Sequence, residues 1–291
     1  MNQAARKLKI QNVRLSSETK RETSFNFPLF SEQYFKNTGK EAPDCNWLVW
    51  FIGFSEGDGA ILTYDGRLRF VLTQKESSIL RHIQKVLGLG KLHDFNHYSR
   101  LIVEKKQEIR LLYYLFNGNL VIEHRKWQLN QWQKVLNKEF NLKLELIHRS
   151  LLPSLSDAWL SGFTDAEGCF NVNIEKRSNT ITKHRVIIRF LLDQKETQNL
   201  FLHIRDLFGY GQVNLRSKTN NIYRYHVNTF KGLITVRNYF LTYSLKTKKK
   251  ESFDKWNTVY NMILNKEHLV LEGLNNIRMI AKEINKVNNL E

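Results

Sequence analysis

Trp50-Phe51-Ile52-Gly53-Phe54-Ser55-Glu56-Gly57-Asp58-Gly59 and Trp159-Leu160-Ser161-Gly162-Phe163-Thr164-Asp165-Ala166-Glu167-Gly168 state one pattern twice. Each is an apolar run with small residues four apart (Gly53 and Gly57; Gly162 and Ala166), two acids two apart and a closing glycine. Such repetition predicts two similar halves. Read as helices, the small residues share one face. That face lets two backbones approach closely, a geometry best documented in membrane helices but not confined to them. Phe51, Phe54, Leu160 and Phe163 supply apolar surface to the surrounding cores. Gly59 and Gly168 stand where a left-handed glycine would end each helix. Asp58 and Glu167 then lie at helix C-termini, the unfavourable end of the dipole for an acid, at about 0.3–1 kcal/mol each. Packing the helices side by side adds carboxylate repulsion, which raises one of the two pKa values. A divalent cation relieves both problems. Mg²⁺ takes one or two protein carboxylates and keeps waters and substrate phosphates as its other ligands.

The 291 residues include 45 Lys+Arg against 28 Asp+Glu, a formal net charge of +17. That imbalance selects a polyanionic partner: nucleic acid or an acidic membrane surface. No uninterrupted apolar stretch is long enough to cross a bilayer, so a spanning protein is not expected. A hydrophobic content of 42% supports a folded core rather than disorder. The two cysteines, Cys45 and Cys169, form no C-x-x-C, which argues against structural zinc and for a reducing compartment. His82 and His203 occupy matching places in the two halves, but no His-Glu-x-x-His spacing exists, and structural roles are expected for them.

Residues 1–43 are polar and lack a secretory apolar core. They read as an N-terminal arm or extension, with a targeting segment and the remnant of an upstream reading frame as open alternatives; Phe25, Phe27, Leu29 and Phe30 suggest that part of it docks. A first half over 44–142, a linker over 143–155 broken by Pro153 and a second half over 156–291 complete the division. Asp65-Gly66, between Ile61–Tyr64 and Arg67–Thr73, is a type I′ hairpin turn. The second half carries a longer hairpin, Phe170–Glu175 and His184–Leu192 around a polar loop. Thr73-Gln74-Lys75-Glu76 and Asp193-Gln194-Lys195-Glu196 then lead into helices, through Leu80, Ile83 and Leu87 and through Leu200, Ile204 and Leu207. Each helix ends at a glycine pair, followed by two further strands: Lys91–Phe95 with Arg100–Lys105, and Gln212–Arg216 with Ile222–Thr229. Each half is therefore an α-β-β-α-β-β-α unit of the α+β class with a four-stranded antiparallel sheet. A last amphipathic helix is expected over Asn265–Asn288, with Leu271, Leu274, Ile277, Ile280 and Ile284 on its apolar side.

One face of such a sheet packs on helices, and the other can carry polar and basic side chains into a major groove, which admits a two-stranded ribbon. Arg67 and Arg69 alternate with Leu68 and Phe70. Together with Lys91, Arg100, Lys176, Arg177, Arg185, Arg189, Arg216 and Arg224 they are the candidate DNA-binding residues. Two sheets in one chain cover a long site without dimerisation, and because the halves differ the site need not be palindromic.

These residues resemble the LAGLIDADG homing endonucleases in their single-chain, two-motif form, from about Asn46 to the C-terminus. The resemblance implies two tandem domains with saddle-shaped sheets related by a pseudo-twofold axis. It marks Asp58 and Glu167 as the metal-binding catalytic pair, with Gly57 and Ala166 beside them in the metal site, and Glu56 and Asp165 as structural, capping acids. The pair is mixed, one Asp and one Glu, and both bind metal. The family places a water-organising polar residue on the strand-to-helix corner, here Gln74 and Gln194, and a basic residue beside the site. In the second half that residue falls within Lys246-Thr247-Lys248-Lys249-Lys250. Aligning Trp132 with Trp256 pairs Arg125 with Lys249, and Lys248 is the neighbouring register. The implied activity is Mg²⁺-dependent hydrolysis of both strands of DNA with short 3′ overhangs, with Mn²⁺ or Ca²⁺ able to replace Mg²⁺ in binding. The implied setting is a monomer, with no membrane, encoded in an organelle intron, the mitochondrion ahead of the chloroplast. Two alternatives stay open. An RNA maturase assisting group I intron splicing, with intron RNA as partner, would need the basic body but not the acids. A DNA binder without chemistry would leave the paired acids unexplained.

Overall fold

The computed structural model describes residues 25–288, and side chains through residue 284. In chain order the first half holds α1 (Pro28–Thr38), α2 (Cys45–Asp58), β1 (Gly59–Tyr64), β2 (Arg67–Gln74), α3 (Ser77–Leu87), β3 (Lys91–Asp94), β4 (Ser99–Val103), α4 (Lys106–Phe116) and α5 (Glu123–Phe140). The second holds α6 (Trp159–Glu167), β5 (Gly168–Lys176), β6 (His184–Lys195), α7 (Gln198–Phe208), β7 (Gln212–Ser217), β8 (Ile222–Val227), α8 (Phe230–Thr242), α9 (Lys249–Leu264) and α10 (Leu271–Asn288). The strands form two four-stranded antiparallel sheets in the same order, β1-β2-β4-β3 and β5-β6-β8-β7. The expected α+β class and the repeated sheets are present. Beyond the expected seven elements, the first half adds α1 and α5, and the second adds α9 before α10.

Asp65 and Gly66 both take positive φ, 47° and 70°, as a type I′ turn requires. This fixes the register of β1 against β2 from Gly59↔Leu72 to Tyr64↔Arg67. The motif helices do not end as expected. Gly59 (φ −81°, ψ 149°) and Gly168 (φ −87°, ψ 158°) are extended, and they are the first residues of β1 and β5. Space, not handedness, selects glycine there. A Cβ at Gly59 would lie 2.4 Å from Ser55 O, and one at Gly168 would lie 2.4 Å from Thr164 Cγ2. Each helix therefore turns directly into a strand, with its second acid on the corner.

The two motif helices pack on each other as the small residues predicted. A Cβ at Gly53 would fall 2.1 Å from Trp159 O, and one at Gly162 would fall 1.8 Å from Trp50 O. The backbones are thus in direct contact, and residues Trp47 to Glu56 are buried without a break.

Part of the N-terminal extension belongs to the body. Phe25, Phe27, Phe30 and Tyr34 are buried, while Leu29 is exposed. Tyr34 Oη donates to Leu87 O at 2.9 Å, and Asn26 exchanges two hydrogen bonds with the side chain of Asn119. Residues 1–24 lie outside the described residues. The segment between α5 and α6 is strapped to the first half: Tyr113 Oη and Asn117 Nδ2 donate to Glu145 O, and Asn137 holds Leu144 through both its N–H and its carbonyl. In α10, Leu274, Ile277 and Ile284 are buried as expected, but Leu271 is exposed because the helix begins there rather than at Asn265. His82 accepts from Trp47 Nε1 at 3.0 Å, and His203 Nε2 bonds Pro153 O at 2.7 Å, both packing roles. Both cysteines are free thiols. Among the described residues, no helix is long and apolar enough to cross a membrane.

Candidate active site

Asp58 is the last residue of α2 and Glu167 the last of α6. Helix contact brings these corners together: a Cβ on Gly57 would meet Ala166 Cβ at 2.3 Å and Glu167 Cγ at 3.2 Å. Burial, and then the neighbouring charge of Asp58, push the Glu167 carboxyl up to about 7. Nearby cations, Lys249 and Arg125, oppose that rise. The two glutamines sit on the strand-to-helix corners and each reaches one acid. Gln74 Nε2 donates to Asp58 Oδ2 at 2.6 Å, and Gln194 Nε2 donates to Glu167 Oε1 at 2.8 Å.

The basic residues hold the ends of the motif helices. The last carbonyls of a helix lack intrahelical partners, and a cation is favoured there. Arg125 Nε donates to Glu56 O at 3.0 Å and its Nη2 to Gly57 O at 3.1 Å. Lys249 Nζ donates to Asp165 O at 2.9 Å and to Ala166 O at 2.7 Å, in a position that is 4% exposed. Arg125 and Lys249 thus occupy equivalent places. Trp132 and Trp256, which suggested that pairing, both donate their indole N–H to strand carbonyls, of Leu62 and Arg189. Lys248 is the N-cap of α9, and its backbone N–H donates to Glu76 Oε2 at 2.9 Å.

Glu56 and Asp165 are buried and bond across the two halves. Glu56 Oε1 accepts the backbone N–H groups of Val121 and Ile122 at the start of α5, and its Oε2 accepts Trp159 Nε1 at 2.7 Å. Asp165 accepts Lys246 N, Thr247 N and Thr247 Oγ1 ahead of α9, and Trp50 Nε1 at 2.8 Å. Burial raises both carboxyls, Glu56 to about 7, against the hydrogen bonds that favour ionisation. The reciprocal tryptophans carried no sequence signal of their role beyond their matched places in the repeat.

A cavity of about 780 Å³ opens at the first corner, lined by Asp58, Gln74, Glu76, His97, Tyr98 and Lys248 among others. The oxygen donors where the two helix ends meet suit a hard divalent cation: the Asp58 and Glu167 carboxylates, with the Gly57 and Ala166 carbonyls, each of which keeps a second lone pair. Among the described residues, no group of three or more His, Cys, Asp or Glu side chains converges. The set fits a hard divalent cation that needs few protein ligands and fills its shell with water and phosphate.

The sheet register sorts the candidate DNA-binding residues. Arg67 and Arg69 stand opposite Tyr64 and Leu62, Arg100 opposite both Thr73 and His93, and Lys91 opposite Ile102. All four point away from the core face formed by Leu68, Phe70 and Leu72. In the second sheet Arg185, Arg189 and Arg224 share the outward face, opposite Glu175, Asn171 and Asp193. Arg216 reaches the same face from a register irregularity in β7. Two candidates lie elsewhere. Lys176 stands opposite His184 on the other face, where a cavity lined by both residues and Arg278 borders α10. Arg177 lies in the loop past the end of β5, with its Nε on Asn179 Oδ1 at 2.9 Å. Alternation along β5 moved one, and strand length the other. Acids temper the arginines: Arg69 pairs with Glu104 at 2.8 Å, Arg189 with Glu175 at 3.6 Å, and both Arg216 and Arg224 with Asp193.

The family profile described as LAGLIDADG endonuclease matches residues 160–260. A probable intron-encoded endonuclease of Neurospora crassa is 36% identical over 250 residues, spanning 83% of this chain. An uncharacterized cox1 intron-2 protein of Schizosaccharomyces pombe is 27% identical over 250 residues, 82% of this chain and 73% of that protein. The chain spans 45% of the length of the Neurospora relative. The solved structure of the LAGLIDADG meganuclease I-AabMI bound to uncleaved DNA superposes with a TM-score of 0.69 at 26% identity, over 81% of this chain and 98% of that one. The likeness holds in sequence and in architecture, and the chain belongs to the LAGLIDADG endonuclease family.

Proposed function

We propose that the chain is a site-specific endonuclease that hydrolyses both strands of a long, non-palindromic double-stranded DNA target as a monomer. The observation that carries this is the meeting of Asp58 and Glu167, each bonded to its own corner glutamine, where two arginine-bearing sheets of one chain adjoin. The halves, 44–142 and 156–291 with 143–155 between them, supply one acid and one sheet each. The family's divalent-metal dependence is read here as Mg²⁺, with Mn²⁺ or Ca²⁺ able to replace it in binding. A cation held by Asp58, Glu167, Gly57 O and Ala166 O would lower the pKa of water and steady the leaving oxygen. Gln74 and Gln194 each keep a second amide N–H to orient attacking water, while Gln194 Oε1 accepts the backbone N–H of Lys195 at 2.8 Å. Arg125 and Lys249 offset the negative ends of the motif helices, so the acids ionise beside phosphates at lower cost. Outward arginines and Lys91 bind backbone and base edges, which makes affinity strongly salt-dependent.

The cox1-intron relative supports a mitochondrial intron as the setting. The maturase reading, with intron RNA as partner, has no comparable observation behind it. The deciding experiment gives purified protein and Mg²⁺ a plasmid carrying the exon junction that flanks its own coding intron. Linear product is expected. Asp58→Asn with Glu167→Gln should abolish cutting and leave binding largely intact. Cutting by that double variant would overturn the assignment.

A further inference from the structure

The two sheets differ at one matched cross-strand pair. Thr73 in β2 stands opposite Arg100 in β4, and Asp193 in β6 stands opposite Arg224 in β8. Thr73 and Asp193 each directly precede the corner glutamine. In the first sheet Arg100 Nε donates to Thr73 Oγ1 at 3.2 Å, and its guanidinium lies 5.0 Å from the Tyr98 ring centroid and 5.8 Å from that of Phe95. In the second, Asp193 takes two bonds from Arg224, Nε to Oδ1 at 2.7 Å and Nη2 to Oδ2 at 2.6 Å. Asp193 Oδ2 also accepts Arg216 Nη1 at 2.5 Å.

We propose that Asp193 is a positioning residue that makes Arg224 a guanine reader in the second half-site, while the mirror-related position beneath Arg100 is read loosely. This rests on the DNA-cleaving reading above. The bidentate pair fixes the plane of the guanidinium and occupies its Nε edge. Nη1 and the second hydrogen of Nη2 remain as paired donors at the far end of the fork. In the major groove only guanine offers two adjacent acceptors, O6 and N7; adenine pairs an acceptor with a donor. The lock also removes rotamer freedom that an unheld arginine would lose on binding, and it occupies Arg216 as well. Arg100 has only a neutral hydroxyl and two ring faces to hold it, so it can swing to a phosphate or to another base edge.

The test selects bound duplexes from a randomised library with the full chain in metal-free buffer, so that binding is read without cutting. Wild type should enrich guanine at one position of the second half-site. Arg224→Ala should lose that preference by roughly five- to a hundredfold, the worth of one bidentate base contact. Asp193→Asn should weaken it while the other positions keep theirs; a merely structural role would lower all positions together. Thr73→Asp should create a new guanine preference at the mirrored position, a gain that misfolding cannot produce. An unchanged preference in Asp193→Asn, or a uniform loss, overturns the proposal alone. If wild type selects no duplex at all, the DNA reading falls and the proposal with it.

Discussion

Trp159, in the second half, donates its indole N–H to the buried Glu56 of the first at 2.7 Å. The same carboxylate holds the start of α5 through Val121 N and Ile122 N, so one side chain ties together the repeat interface and the helix that carries Arg125. Trp159→Phe keeps the ring packing and removes the donor, leaving a buried carboxylate oxygen unpaired. That should cost about 1–3 kcal/mol, read as a lower denaturant midpoint in urea.

The backbone contact between the motif helices leaves no room for a methyl group. Gly53→Ala would place a Cβ 2.1 Å from Trp159 O, and Gly162→Ala one 1.8 Å from Trp50 O. Each should destabilise by about 3 kcal/mol or more, the upper end for overpacking. Gly39→Ala makes the contrast, since it meets nothing within 4 Å and is strained only by its φ of +68°; it should cost about 1–2 kcal/mol. Thermal unfolding of the three variants measures the difference.

Glu56 and Glu167 are both pushed up to about 7 from an ordinary 4.5, chiefly by burial, and Glu167 also by Asp58. The folded chain therefore keeps these protons to higher pH than the unfolded chain does. The stability contributed is complete below about pH 4.5 and is lost as pH rises through 7. The loss is on the order of 1.4 kcal/mol per pKa unit for each group. On the proposed reading Mg²⁺ would bind the ionised form of Glu167, so it should raise the melting temperature more at about pH 8 than at about pH 5. Glu167→Gln should flatten the pH dependence and remove most of the Mg²⁺ effect. A melting curve insensitive to both would contradict the site.

Gln74 and Gln194 touch the acids, not the sheet faces. Gln194→Ala should lower the cleavage rate at saturating DNA by roughly ten- to a hundredfold and leave the binding constant nearly unchanged. Gln194→Glu should be worse, since it sets a third carboxylate against Glu167 and Asp58. Single-turnover cleavage beside a mobility-shift titration separates the two effects.

What the sequence showed and what it hid divide along physical lines. The repeat, its small-residue face and the Asp65-Gly66 turn depend on local patterns, and all were legible. The glycines closing the motifs were misread because a left-handed cap and a crowded extended corner select the same residue. Lys176 lies on the core side because it continues the alternation of Phe170, Val172 and Ile174 along β5. The acids that temper the arginines, Asp193, Glu175 and Glu104, become visible only once strand pairing shows what lies opposite. The helix α1 stayed hidden because its docking depends on a partner far along the chain, Leu87.

The exchange of tryptophan for acid between the halves, Trp50 to Asp165 and Trp159 to Glu56, has a bearing on engineering. A chimera that takes one half from a relative imports a single member of each exchanged pair. Its success then depends on whether the donor half also brings an indole at the matched place, so modular reassembly of new specificities must select on that pair before it considers any base contact.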